Sequence, residues 1–278
     1  MRRLVVIAVV LGLTVCRAWA DGGSDAPFRV GEKLTYQIFW GPFVVGRATL
    51  EVRGIEAVDG HDCYHLVAQA KTSGLAESLF PVDSRSESWL DVKDLYARRF
   101  RQNRKEGRHR RNDETRYDYD HQQAIVTDFL KGKERRRELK EPVQDIVSVL
   151  YYLRSQPLKL YAKQNFVINA SDQNYTVTIK PDQRKSLWVR PVGEVQALRI
   201  EPNPTLKIVA ANKGRMWFWV SDDARRLPLI VASDLKLGST KLVLFKIESA
   251  NPELDNHTRP STTNFRAALP GATLATTH

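Results

Sequence analysis

Gly214-Arg-Met-Trp-Phe-Trp-Val-Ser-Asp-Asp-Ala-Arg-Arg-Leu-Pro-Leu-Ile-Val231 reads as one strand, a tight acidic turn and a second strand. Trp217 and Trp219 share one face of the first strand and Phe218 takes the other. Both faces are therefore apolar, and the strand is expected to be central in its sheet. Asp222 and Asp223 fall where the chain reverses, a place that suits Asp because its side chain bonds nearby backbone N–H groups and tolerates turn dihedrals. Arg225 and Arg226 are the expected charge partners.

The same period-two pattern extends in both directions. Leu34, Tyr36, Ile38 and Trp40 alternate with Lys33, Thr35, Gln37 and Phe39, and Ala48, Leu50 and Val52 alternate with Thr49, Glu51 and Arg53. Asp59-Gly60 marks a hairpin turn needing positive φ, and Tyr64, Leu66, Ala68 and Ala70 continue beyond it. More polar strands are expected at 85–90, 96–104, 113–119 and 124–130. A second series is expected at 166–170, 175–180, 187–190, 194–201, 205–210, 215–220, 227–235 and 241–248. After Pro142, Ile146, Val149, Leu150 and Leu153 fall at helical spacing. These readings predict an all-β, mainly antiparallel chain, a curved sheet, sandwich or open barrel, with one interior α-helix near 143–155.

Three segments resemble a bacterial exported family, domain of unknown function 3108. They are Phe28–Gly41 with Val45–Leu50, the helix Gln144–Arg154, and Trp217–Pro228 with its tryptophan, Asp-Asp and proline. The resemblance implies an exported protein of curved β architecture. It implies no activity and no catalytic residue. The basic density of 98–137 departs from the family pattern.

The N-terminus has the tripartite form of a secretory signal. Arg2 and Arg3 precede an apolar run from Leu4 to Val15, and Ala18-Trp19-Ala20 fits small-x-small cleavage. The run is too short to span a bilayer, and Val15 before Cys16 departs from a lipoprotein signal. The expected organisation is a signal peptide over 1–20, a leader over 21–27, one β-rich domain over 28–250 and a disordered tail over 251–278. The protein is accordingly expected to be periplasmic or secreted, cleaved after Ala20, with no transmembrane segment thereafter. Removing residues 1–20 leaves 258 residues with 40 basic and 32 acidic side chains, a formal charge of +8. The single remaining cysteine, Cys63, excludes an intrachain disulfide.

Candidate chemistry is sparse. Asp222-Asp223 has the composition of a metal or acid/base pair, but adjacent strand residues point apart. Asp145 and Arg154, nine residues apart on the helix, lie on opposite sides and complement the two ends of its dipole. His61, Cys63 and His65 alternate as zinc ligands could, yet strand neighbours at i and i+2 stand about 7 Å apart, so a packed cysteine with surface histidines is expected. His109, His121, His257 and His278 lie in no motif. No phosphate loop, nucleophile elbow or Ser/His/Asp arrangement is visible. The expectation is therefore no catalytic residue, no metal and no cofactor, with the ligand-binding residues unassigned.

Eight Lys or Arg residues fall between Arg98 and Arg111, and Lys131, Lys133, Arg135, Arg136, Arg137 and Lys140 follow. Such runs attract polyanions, although interleaved Glu106, Asp113, Glu114, Glu134 and Glu138 also fit a solvated strand edge. Outside the cytoplasm the natural ligands are lipid, lipopolysaccharide or acidic polysaccharide, and not nucleic acid. The favoured expectation is a non-enzymatic binder whose basic 98–140 face attracts an anionic head. In it an apolar moiety is buried in an aromatic-lined concavity, for which Tyr36, Trp40, Trp89, Trp188, Trp217 and Trp219 are the available aromatics, although most of them are expected in the core. The alternatives are a polysaccharide hydrolase or lyase using Asp222, Asp223 and a histidine, or an assembly partner. Oligomeric state is not readable.

Overall fold

The computed structural model describes residues 26–170, 173–202, 215–235 and 238–249. The expected signal peptide with Cys16, most of the expected leader, the strand expected at 205–210 and the tail expected at 251–278 lie outside the described residues.

Thirteen strands form one antiparallel sheet in the order β11-β12-β13-β14-β15-β1-β2-β3-β4-β5-β6-β7-β8. Its first half is a meander of hairpins: β1 (Lys33–Trp40), β2 (Phe43–Val58), β3 (His61–Thr72), β4 (Val82–Asp91), β5 (Ala97–Glu106), β6 (His109–Asp118), β7 (Gln123–Asp128) and β8 (Lys133–Glu138). The second half contains β11 (Pro181–Val189), β12 (Gly193–Ile200), β13 (Arg215–Ser221), β14 (Pro228–Leu235) and β15 (Gly238–Glu248), the last pairing with β1. β9 (Gln164–Ala170) and β10 (Gln173–Ile179) make a separate two-stranded hairpin. Asp59 and Gly60 join β2 to β3 with φ of 49° and 81°, the double positive value that a two-residue I′ turn needs.

The sheet curves without closing, and β8 and β11 remain its edges. Val189 of β11 and Ala197 of β12 pack with Leu34, Tyr36 and Ala48 of β1 and β2, contacts that strands so far apart in the sheet make only if it curls. β12 is buried on both faces: Ala197 faces that cluster, while Leu198 faces β9, β10 and the helix α2 (Ser148–Ser155). β13 pairs with strands on both sides, as its apolar faces predict, although Trp217, Phe218 and Trp219 are only half-buried.

Eight residues are too few for a stable isolated helix, so α2 depends on packing. Tyr151 is buried with Val147, Val143 and Leu139 against Tyr64, Leu66, Leu90 and Phe100, while Val149 and Leu153 face the β9–β10 side. Full burial of each such side chain is worth roughly 1.5–3 kcal/mol.

The expected helix near 143–155 is shorter than its pattern suggested. Gln144 forms a parallel bridge to Ile168, so residues 143–147 serve the core in extended and turn form, and helix begins at Ser148. Two elements had no bounds in the sequence reading. β8, a solvated strand edge as the interleaved glutamates suggested, carries Lys-Glu-Arg-Arg-Arg-Glu with no apolar alternation and stays mostly exposed. The short helix α1 (Leu75–Leu79) buries none of its residues.

Candidate anion-binding surface

The two ends of α2 are its most constrained polar positions. Oδ1 of Asp145 accepts from the backbone N–H groups of Val147 and Ser148 at 2.7 and 2.9 Å, and Oδ2 accepts from the Ser88 hydroxyl of β4 at 2.5 Å. Asp145 is fully buried, and burial pushes its carboxyl up to about 6 against the pull of Ser88 and these N–H donors. It lies three residues before the helix rather than in its first turn, and its bonds to Val147, Ser148 and Ser88 tie the helix start to the sheet.

Arg154 departs from the dipole expectation. Its guanidinium leaves the helix end, forks onto Glu32 at 2.5 and 2.9 Å, and donates to the carbonyls of Pro27 and Arg225. Burial opposes its charge, but the bonds to Glu32 outweigh burial and raise its pKa further. The pair locks the start of the sheet to α2 and to the β13–β14 turn.

In that turn Asp223 accepts from the Ser221 hydroxyl and from the backbone and side chain of Arg225. Burial alone would raise its pKa, but these donors hold it below the usual range. Asp222 pairs with Arg184 at 2.6 Å, and the Arg226 side chain donates to the carbonyl of Arg154 rather than to an aspartate. The two carboxylates therefore work apart.

Cys63 is buried as expected, but His65 is not a surface residue. It is 6% exposed, stacks on Trp89 at 4.6 Å and bonds Glu56 at 2.8 Å. The Trp89 indole donates to the same Glu56, and Arg99 lies over its ring. His61 stands near Asp91 and Arg98 instead. Among the described residues no three His, Cys, Asp or Glu side chains are grouped to hold a metal ion.

The aromatics do not line a common concavity. Tyr36 and Trp89 are buried, Trp40 and Trp188 are 51% and 73% exposed, and the space beneath α2 is filled by core side chains.

The basic region forms β5 to β8, and its charges divide into two groups. Arg99, Arg104, Arg111, Arg116 and Arg136 each pair with a carboxylate: Glu114, Glu106, Asp113, Asp59 and Glu134. Lys105, Arg108, Arg110 and Lys133 are exposed and have no carboxylate within ion-pair distance. Register puts Lys105, Arg108 and Arg110 together at the β5–β6 turn, whereas Lys133, opposite Asp128, is level with Asp113 and Gln102 and stands three residues short of Lys105 along the strands. Neighbouring strands lie about 5 Å apart, so Lys105, Arg108 and Arg110 crowd the β5–β6 end. Sequence reading found the run but could not separate paired from unpaired charges, because pairing depends on cross-strand register.

An open antiparallel sheet curled on one short helix is β-barrel-like in architecture. The chain belongs to the family of proteins of unknown function DUF3108, whose model matches residues 35–244. A solved β-barrel-like protein of domain of unknown function DUF1849 from Brucella abortus is similar in fold. Its TM-score is 0.50 at 10% identity, over 80% of this chain and 98% of that one. A candidate lipoprotein from Parabacteroides distasonis matches with TM-score 0.32 at 9% identity, over 80% and 97% of the two chains. A candidate exported protein with a YmcC-like fold from Bacteroides fragilis matches with TM-score 0.29 at 7% identity, over 80% and 97%. No curated protein matches the chain. No helix among the described residues is long and apolar enough to cross a membrane.

Proposed function

We propose that this is an exported cell-envelope protein that binds a polyanionic or anionic-headed component of the envelope without transforming it. The observation that carries this reading is the cluster of Lys105, Arg108 and Arg110 at the β5–β6 turn, exposed and without carboxylate partners, beside Arg99, Arg104 and Arg111, which are paired. Unpaired cations held at one edge concentrate positive potential and attract anions. Export, supported by the signal-like residues 1–20, makes lipopolysaccharide, anionic lipid or acidic polysaccharide the available ligands. Asp222 and Asp223, the residues that would carry polysaccharide cleavage, are engaged separately by Arg184 and Arg225, which favours binding over catalysis.

Binding is tested with protein lacking residues 1–20, titrated with fluorescent dextran sulfate and with lipopolysaccharide. Charge reversal by Lys105→Glu, Arg108→Glu and Arg110→Glu together is expected to weaken both by at least about tenfold. Equal affinity of parent and variant would refute the reading.

A further inference from the structure

The unpaired cations share their end of the sheet with an unusual set of apolar side chains. Antiparallel alternation sends the β1–β2 turn, the β3–β4 connection and the β5–β6 turn to the same rim. The first carries Trp40, Phe43 and Val44, exposed by 51%, 72% and 52%, and the second carries Leu75, Leu79 and Phe80, exposed by 85%, 78% and 55%.

These tips form a connected structure. The Ser73 N–H donates to the carbonyl of Val45, joining the β3–β4 connection to β2. The Gly107 N–H donates to the carbonyl of Pro81 at 2.8 Å, joining that connection to the β5–β6 turn. Gly107 lies so close to the Phe80 ring that a Cβ there would come within 2.7 Å of it. An apolar ridge thus runs directly into Lys105, Arg108 and Arg110. In α1 the residues Leu75 and Leu79 stand one turn apart and point away from the core, an arrangement that water does not favour in so short a helix.

The turns at the opposite end carry Asp59 and Asp62, Asp91 and Asp94, and Asp118 and Asp120, with Asp59 paired to Arg116, Asp91 paired to Arg98 and Lys93 exposed among them. The apolar side chains and the basic turn thus meet at one end only.

We infer that the rim formed by Trp40, Phe43, Leu75, Leu79 and Phe80, flanked by Lys105, Arg108 and Arg110, docks on the surface of an anionic lipid bilayer. Apolar and aromatic side chains enter the boundary between headgroups and acyl chains, and Lys and Arg meet the lipid phosphates. The inference rests on the anion-binding reading for its cations and adds apolar insertion, which a soluble polyanion does not probe.

The test is flotation of the chain lacking residues 1–20 with phosphatidylcholine vesicles, with and without phosphatidylglycerol. The protein is expected to float only with phosphatidylglycerol, and acyl-brominated lipid is expected to quench a component of tryptophan fluorescence that Trp40→Phe removes. Phe43→Ser with Leu79→Ser is expected to lower partitioning by at least about tenfold, leaving thermal unfolding and dextran sulfate binding unchanged. Binding of dextran sulfate without binding of phosphatidylglycerol vesicles would overturn the inference and leave the anion-binding reading standing. Equal flotation of the double variant would also overturn it. So would a dimer that the double variant dissociates, since the rim would then cover a second copy.

Discussion

Arg154, at the end of α2, holds both carboxylate oxygens of Glu32, 122 residues earlier in the chain, at 2.5 and 2.9 Å. The Arg154 side chain is 2% exposed and that of Glu32 is 15% exposed. Removing Glu32 would strand a buried cation, a loss of about 3–5 kcal/mol in fully buried pairs. The partial exposure of Glu32 places Glu32→Ala near the lower end. Urea unfolding is expected to show this loss, and the double variant Glu32→Leu with Arg154→Met is expected to lose less than Glu32→Ala alone.

Asp145 gives stability a pH dependence of unusual sign. Its folded carboxyl is raised from 3.8 to about 6, so between these values the native state keeps a proton that the unfolded chain releases. Stability from this group is therefore highest below about pH 4, falls as pH rises to about 6, and is flat above, a total of about 3 kcal/mol. Asn can accept the same N–H bonds without ionising. The stability of Asp145→Asn relative to the parent is expected to rise across this window in thermal unfolding at a series of pH values, and a constant difference would contradict the assignment.

Two glycines of β2 should respond oppositely to alanine. A Cβ at Gly46 would lie 2.3 Å from the Lys71 carbonyl oxygen and 3.0 Å from the Thr72 Cα, both backbone atoms of β3 that cannot step aside. Gly46→Ala is expected to cost about 2 kcal/mol or more. At Gly54, beside the irregularity in β2–β3 pairing, nothing lies within 4 Å of the added atom. Gly54→Ala is expected to be neutral or to stabilise by up to about 1 kcal/mol.

Cys63 is fully buried, and burial, with Asp91 nearby, pushes its thiol up to about 12. The thiolate is the reactive form. In protein lacking residues 1–20, Ellman's reagent at mildly alkaline pH is expected to react with the folded chain only as fast as it unfolds, and at once in urea.

The fold was legible where its signals are local. β1 follows the alternation from Lys33 to Trp40, the Asp59-Gly60 turn follows from its dihedral needs, and the β13–β14 hairpin follows from its tryptophans and aspartates. β8 was hidden because an exposed edge strand has no apolar face to write into its sequence. The start of α2 was misplaced because Val143 and Val147 are apolar for the sake of the core, not of a helix. The site was less legible. The composition of 98–140 was visible, but the partner of each arginine depends on cross-strand register. The Arg154–Glu32 pair joins residues 122 apart in the chain, and the rim exists only once three separate connections are brought to one end of the sheet.

The most direct test of the central claim is the salt dependence of lipopolysaccharide binding by protein lacking residues 1–20, compared with the Lys105→Glu, Arg108→Glu, Arg110→Glu variant. Cations that displace counterions give affinity that falls linearly with salt on logarithmic axes, by roughly one power of concentration per cation engaged. The account predicts a steep slope in the parent, shallower by about three in the variant. A parent whose binding ignores salt, or a variant with the same slope, would contradict it.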